Sequence, residues 1–252
     1  MPCFREVKHF RLVYPRKCGA HHTVQISDIA AVPFKLGAEF RRRRAFHPIG
    51  VLARGSMERT APFNRGLPVG TGDVAVRLSK GAGLPGDWPD FAGLAFRMDH
   101  GSSPWDVLMV SAGSTALGRI VLRPTTSWSH ASFSTLMPLG YGGQLWWLRA
   151  RFITPVEGRL SLESLTDQLR HSPVRVAIDQ SNRLGEFVPL AVLTIDELRP
   201  DSEQDDLALD PTTHSAPGVD LLPRWMTTLR KGAYRGSRQG RHREAAVDSR
   251  RV

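Results

Sequence analysis

The sequence predicts an α+β fold in which an antiparallel β-barrel carries flanking helices. Three observations predict it. About seven short segments rich in Val, Leu, Ile, Phe and Trp read as strands, several with strict apolar/polar alternation. Gly- and Pro-containing connections punctuate them. Helical signals are few and lie mostly outside the strand-rich stretch. At 252 residues the chain can bury one sizeable core, and one main domain is expected.

Residues 1–28 are expected to be an unpatterned arm, because Met1 to Thr23 shows neither a helical nor a strand period. The domain is assigned to residues 29–241, and 242–252 to a basic disordered tail. Ile29 to Arg44 reads as a short helix or arm. Strands follow at His47–Arg54 and Asp73–Ser79. In the second, Val74, Val76 and Leu78 alternate against Ala75 and Arg77, and an unbulged strand is expected to set Arg77 and Ser79 on opposite sides. After the Gly/Pro-rich loop Gly81–Pro89 come strands at Ala92–Met98 and Trp105–Val110. Tyr141-Gly142-Gly143 introduces a strong strand, Gln144–Ile153, in which Trp146 and Trp147 must face opposite sides, and Val174–Ile178 and Val188–Ile195 complete the set. Leu160–His171 is the best interior helix, begun by Ser161 with Glu163 and Ser164 in its first turn. Arg199–Gly218 is acidic, Pro-containing and strandless, so it reads as a long surface excursion. A final helix is predicted over Leu221 to about Arg241.

Composition narrows the function classes. No apolar run is long enough to span a bilayer, and the basic residues of Met1–Ala20 interrupt any signal-peptide core, so a cytoplasmic protein without a membrane partner is expected. Cys3 and Cys18 match neither zinc nor disulfide spacing. The net charge is +10, but from Arg224 to Val252 nine Lys/Arg stand against Glu244 and Asp248. Most of the excess is therefore a basic tail, which weakens a case for specific nucleic-acid binding.

The motif with the most distinctive chemistry is Arg230, Tyr234, Ser237 and Arg241, spaced four, three and four residues apart. On a helix these form one stripe, where a packed helix would otherwise present apolar residues. An arginine one turn from a tyrosine stabilises its phenolate, and a phenolate is one of the proximal ligands that bind haem iron. Upstream, Arg44-Ala45-Phe46-His47 sets an arginine three residues before a histidine at the start of a strand. Between them stand Val76-Arg77-Leu78-Ser79, the Gly81–Gly86 loop, Asp90 with Gly93-Leu94-Ala95-Phe96, and Trp105-Asp106-Val107.

In that order these items resemble the haem catalase superfamily, over roughly Phe40 to Arg241, and the short peroxidase-like members more than full-length catalases. The resemblance implies a catalase-like barrel holding haem b, with Tyr234 as the iron ligand. It implies His47 as distal acid/base, Ser79 as the group that orients its imidazole, and Arg44, Arg77 and Arg241 as propionate partners. Arg230 would support the phenolate, with Ser237 in the same stripe. In the family an asparagine follows the Trp-Asp strand. Here that stretch is Val107-Leu108-Met109-Val110-Ser111, in which Ser111 offers one donor on a shorter arm. The aromatic residues expected next are replaced by Ala112–Arg119. The departure points away from vigorous dismutation of hydrogen peroxide and leaves open a peroxidase using an organic hydroperoxide as its small-molecule partner, or a degenerate haem-binding or haem-free barrel. Homo-oligomerisation is left open.

Two other classes compete. His21-His22-Thr23, His100-Gly101-Ser102 and His130-Ala131-Ser132 each match the His-x-Thr/Ser element of two-histidine phosphodiesterases, in which one imidazole removes a proton and the other donates one. A nucleic-acid-binding barrel would use Arg41–Arg44, the basic tail and the Trp146-Trp147 strand.

Overall fold

The computed structural model describes residues 49–84, 88–101, 103–199 and 209–223, all within one compact unit. Among them are ten strands: β1 (Ile49–Arg59), β2 (Gly72–Lys80), β3 (Ala92–His100), β4 (Ser103–Ser111), β5 (Ser132–Ser134), β6 (Leu139–Tyr141), β7 (Gln144–Phe152), β8 (Val174–Asn182), β9 (Val188–Leu198) and β10 (Asp220–Leu221). One α-helix, α1 (Leu162–His171), is described beside them.

Every pairing is antiparallel. β1 to β4 form a meander, β4 pairs β5, β5 pairs β7, and β7, β8 and β9 continue until β9 pairs back onto β1. Eight strands thus close a barrel, which leaves no open edge in the ring. β6 takes the N-terminal part of the β7 edge that β5 leaves free, and β10 extends from β6.

The period-two alternation fills the interior. Ala53 and Met57 on β1, Val74, Val76 and Leu78 on β2, Leu94 and Phe96 on β3, and Trp105, Val107 and Met109 on β4 are all core residues. Leu148 and Ala150 on β7, Val174, Val176 and Ile178 on β8, and Leu193 and Ile195 on β9 complete the lining. A small barrel is packed in this way by its own side chains.

One mouth of the barrel is stoppered by the β1–β2 loop, whose Leu67 and Val69 are buried. Arg59 anchors that loop. Its guanidinium donates to the carbonyls of Ala61, Pro62, Arg65, Leu67 and Val69 at 2.7–3.0 Å. Gly66 has φ +80°, and a Cβ there would overlap the Gln180 amide, whose Oε1 accepts from Leu67 N at 2.9 Å. At the barrel's other end, α1 is capped by Ser161, whose hydroxyl accepts from Ser164 N, and it buries Leu165 and Leu169.

The structure confirms the barrel and corrects several details. β2 runs unbulged against both neighbours, so Arg77 and Ser79, two residues apart, share the outward face instead of opposing one another. Leu221 lies in β10, so no helix starts there. The described part of the expected surface excursion, residues 209–218, is fixed to the barrel: Asp210 and Ala216 are buried. Trp147 packs outside the barrel wall and Trp146 faces the barrel mouth, as their adjacent positions require.

Candidate functional site

The sequence-derived residues that the structure describes lie on β2 and β4. Register builds the outward face of the first four strands in rows. Gly50, Ser79, Gly93 and Val110 are one row, and Leu52, Arg77, Ala95 and Leu108 the next. Ser79 and Leu52 are buried, and Arg77 is partly exposed. A Cβ on Gly50 would lie 2.9 Å from the Arg77 guanidinium carbon, so the arginine folds over β1 because residue 50 has no side chain. The result is a largely apolar floor on which Gly50, Gly93 and Ala95 alternate with Leu52, Leu108 and Val110, with one hydroxyl and one guanidinium among them and with Ser79, Leu52 and Gly93 buried.

Ser111 does not join this floor. It pairs with the core residue Phe133, which turns its side chain inward, and Val110 takes the place beside Gly93 and Ser79. Its hydroxyl is committed as well, donating to Arg123 O at 2.7 Å and accepting from Ala92 N at 3.1 Å. Ser111, expected to replace the distal amide in part, thus faces away from the floor and ties the β3–β4 end of the barrel together. Arg44, His47, Arg230, Tyr234, Ser237 and Arg241 lie outside the described residues.

Two of the three His-x-Thr/Ser elements can be placed. His100 ends β3, with Nε2 against Pro68 O at 2.9 Å, and exposed His130 precedes β5. They stand beyond opposite ends of β4, a strand of nine residues, hence on the order of 25 Å apart. These two imidazoles cannot flank one phosphodiester. His21 lies outside the described residues.

Two polar clusters escaped the sequence reading. On the row below Arg77, Asp106 has a side chain with no exposed surface and accepts from Arg97 Nε at 2.6 Å and Nη2 at 2.7 Å. Its Oδ2 also accepts from Asp210 N at 2.7 Å, and His214 Nδ1 lies 2.9 Å from it. The hydrogen bonds to Asp106 raise the pKa of Arg97 above arginine's ordinary value despite its partial burial. This cluster fastens residues 209–219 against β4, where His214 O also accepts from Asp106 N.

The second cluster sits outside β7 and β8. Buried Arg119 donates to Ser181 Oγ, Arg183 O and Gly185 O, and its guanidinium carbon lies 4.4 Å from the Phe187 ring centroid, as does that of Arg149. Burial, and secondarily the Arg149 charge, lower its pKa. Arg149 and Arg151 share Asp179 Oδ2. Neither cluster has a motif spacing, because its members meet through strand register and not through sequence proximity.

No protein-family model and no curated protein sequence matches the chain. Solved structures do match in fold. A fungal catalase superposes with a TM-score of 0.51 at 9% identity over 84% of this chain and 62% of its own. Catalase A from Saccharomyces cerevisiae gives 0.53 at 9% identity over 84% and 64% respectively. The chain therefore has a catalase-like barrel and spans less than two thirds of the length of either enzyme. Among the described residues no group of three or more His, Cys, Asp or Glu is placed to hold a metal ion. The donor set expected for iron is instead a single phenolate, that of Tyr234.

Proposed function

We propose that the chain is a haem-binding, catalase-like protein that works as a peroxidase on organic hydroperoxides, with weak or no dismutation of hydrogen peroxide. The observation that carries this reading is the floor around Ser79 and Arg77. Arg77 and Ser79 of the Val76-Arg77-Leu78-Ser79 motif share the outward face of β2, in register with Gly50, Gly93 and Ala95, on a barrel of catalase-like fold. Such a floor suits the flat apolar face of a macrocycle, and Arg77 at its edge suits a propionate.

In this reading Tyr234 holds the iron, and Arg230 keeps its phenol ionised. Arg44, Arg77 and Arg241 meet the propionates, while Ser237 keeps its place in the helical stripe. Haem, when bound, supplies the redox chemistry of hydroperoxide reduction. His47 accepts the hydroperoxide proton and returns it to the leaving oxygen, with Ser79 orienting the imidazole. With Val110 beside Ser79 and Ser111 turned inward, the face lacks the amide donor expected next to the peroxide, which favours the peroxidase over the dismutase.

The test is an absorption titration of the purified protein with haem. A saturable Soret band is expected, together with oxidation of a phenolic dye by cumene hydroperoxide and little oxygen evolution from hydrogen peroxide. Absence of a Soret band, or rapid oxygen evolution, would overturn the reading.

A further inference from the structure

The barrel mouth at the opposite end from Ser79 forms an open cleft of about 760 Å³. Its walls are the β1–β2 loop, the β6–β7 hairpin, the last residues of β8 and the β8–β9 turn. Barrel mouths are a recurrent place for ligand sites, and this volume is within the usual range for one. The loop wall is preformed, since the five carbonyl bonds of Arg59 and the packing of Gly66 on Gln180 fix it.

The lining has a distinct chemistry. Tyr141 and Trp146 contribute aromatic rings, and Asn64, Gln144, Gln180 and Asn182 contribute four side-chain amides. Only Arg65 and Glu186 bring charge to the cleft, one of each sign and both exposed. Trp146 Nε1 is already used on Tyr141 O, so its ring offers surface and not a donor. Asn182 Nδ2 donates to Gln144 Oε1, whereas the buried Asn182 Oδ1 has no hydrogen-bond partner among the described residues. That oxygen has no exposed surface, so the pair offers itself to a ligand through the exposed Gln144 side chain.

We infer that this cleft binds an uncharged saccharide of about disaccharide size. Sugars offer C–H faces that lie against aromatic rings and adjacent hydroxyls that donate and accept at once. Side-chain amides match such hydroxyls in pairs. A phosphorylated or strongly charged ligand is disfavoured, because the guanidinium of Arg59 is spent on carbonyls and Arg65 is balanced by Glu186. The inference is independent of haem.

Isothermal titration of the full chain with maltose, cellobiose and N,N′-diacetylchitobiose tests it, with adenosine as a contrast of similar aromatic and amide preference. Saturable one-to-one binding of at least one saccharide is expected. Gln144→Ala and Asn182→Ala should each weaken it by about tenfold, the usual scale for losing a hydrogen bond in a site. Leu184→Ala, exposed on the neighbouring turn but outside the cleft, should leave it unchanged. Circular dichroism of each variant checks the fold, and exposed Gln144 is the less disruptive change. Failure of all three saccharides to bind, tighter binding of adenosine than of any saccharide, or equal binding by folded Gln144→Ala would overturn the assignment.

Discussion

Asp106 has no side-chain exposure, and it is tolerated there because Arg97 meets both of its oxygens and Asp210 N adds a third donor. Removing Asp106 takes from Arg97 its two-pronged carboxylate partner and from Asp210 N its buried acceptor. Asp106→Ala is therefore expected to destabilise the fold by about 3–5 kcal/mol in denaturant unfolding, and to release residues 209–219 to faster amide exchange. Arg119 is the contrasting case, a buried cation held by a hydroxyl, two carbonyls and the Phe187 ring, with its Nε unmet and no carboxylate bonded to it among the described residues. Arg119→Met keeps length and apolar bulk but strands those acceptors, so a loss of about 1–3 kcal/mol is expected. At this scale the sequence was readable in identity and not in orientation. Val76-Arg77-Leu78-Ser79 and Trp105-Asp106 stood out as motifs, but one residue decides which face a strand side chain takes. That offset turned Ser111 into the barrel and placed Val110 beside Ser79.

The elements that sequence revealed are the long ones. All seven expected strands exist, and each extends beyond the expected span at one end or both, apart from β7, which stops one residue short of its expected end. β5, β6 and β10, at two or three residues each, are too short for alternation to register, and they form because longer strands offer them an edge. Ser161 was legible because capping is local chemistry: a hydroxyl just before an amphipathic run, with its own donor waiting three residues on. Ser161→Ala should cost about 1 kcal/mol, measurable as a lowered midpoint in thermal unfolding. Residues 209–219 were misread for the opposite reason. They close an acidic, Pro-containing stretch that reads as a solvated loop, and only the fold supplies the buried Asp106, paired with Arg97, that receives them.

For the whole molecule, closure of the barrel was legible as a count of strands, whereas the proposed haem site draws residues from both ends of the chain. Tyr234→Phe keeps shape and apolar surface while removing the ligand oxygen, so the barrel should stay folded as haem affinity collapses. Arg230→Ala should weaken binding more mildly, and Arg235→Ala, off the stripe, hardly at all. Soret titration of the three variants separates these outcomes. The ring of strands also has a mechanical character set by its shortest member. β5 meets β4 through two residue pairs and β7 through three, while most of the other junctions run seven pairs or more. A closed ring opens where its stitching is thinnest, so transient fraying should begin at Ser132–Ser134 and bare the flanks of β4 and β7 together. Those flanks are then a ready template for strands of another molecule, which makes this seam the place where gentle heating would first turn the folded chain into aggregate.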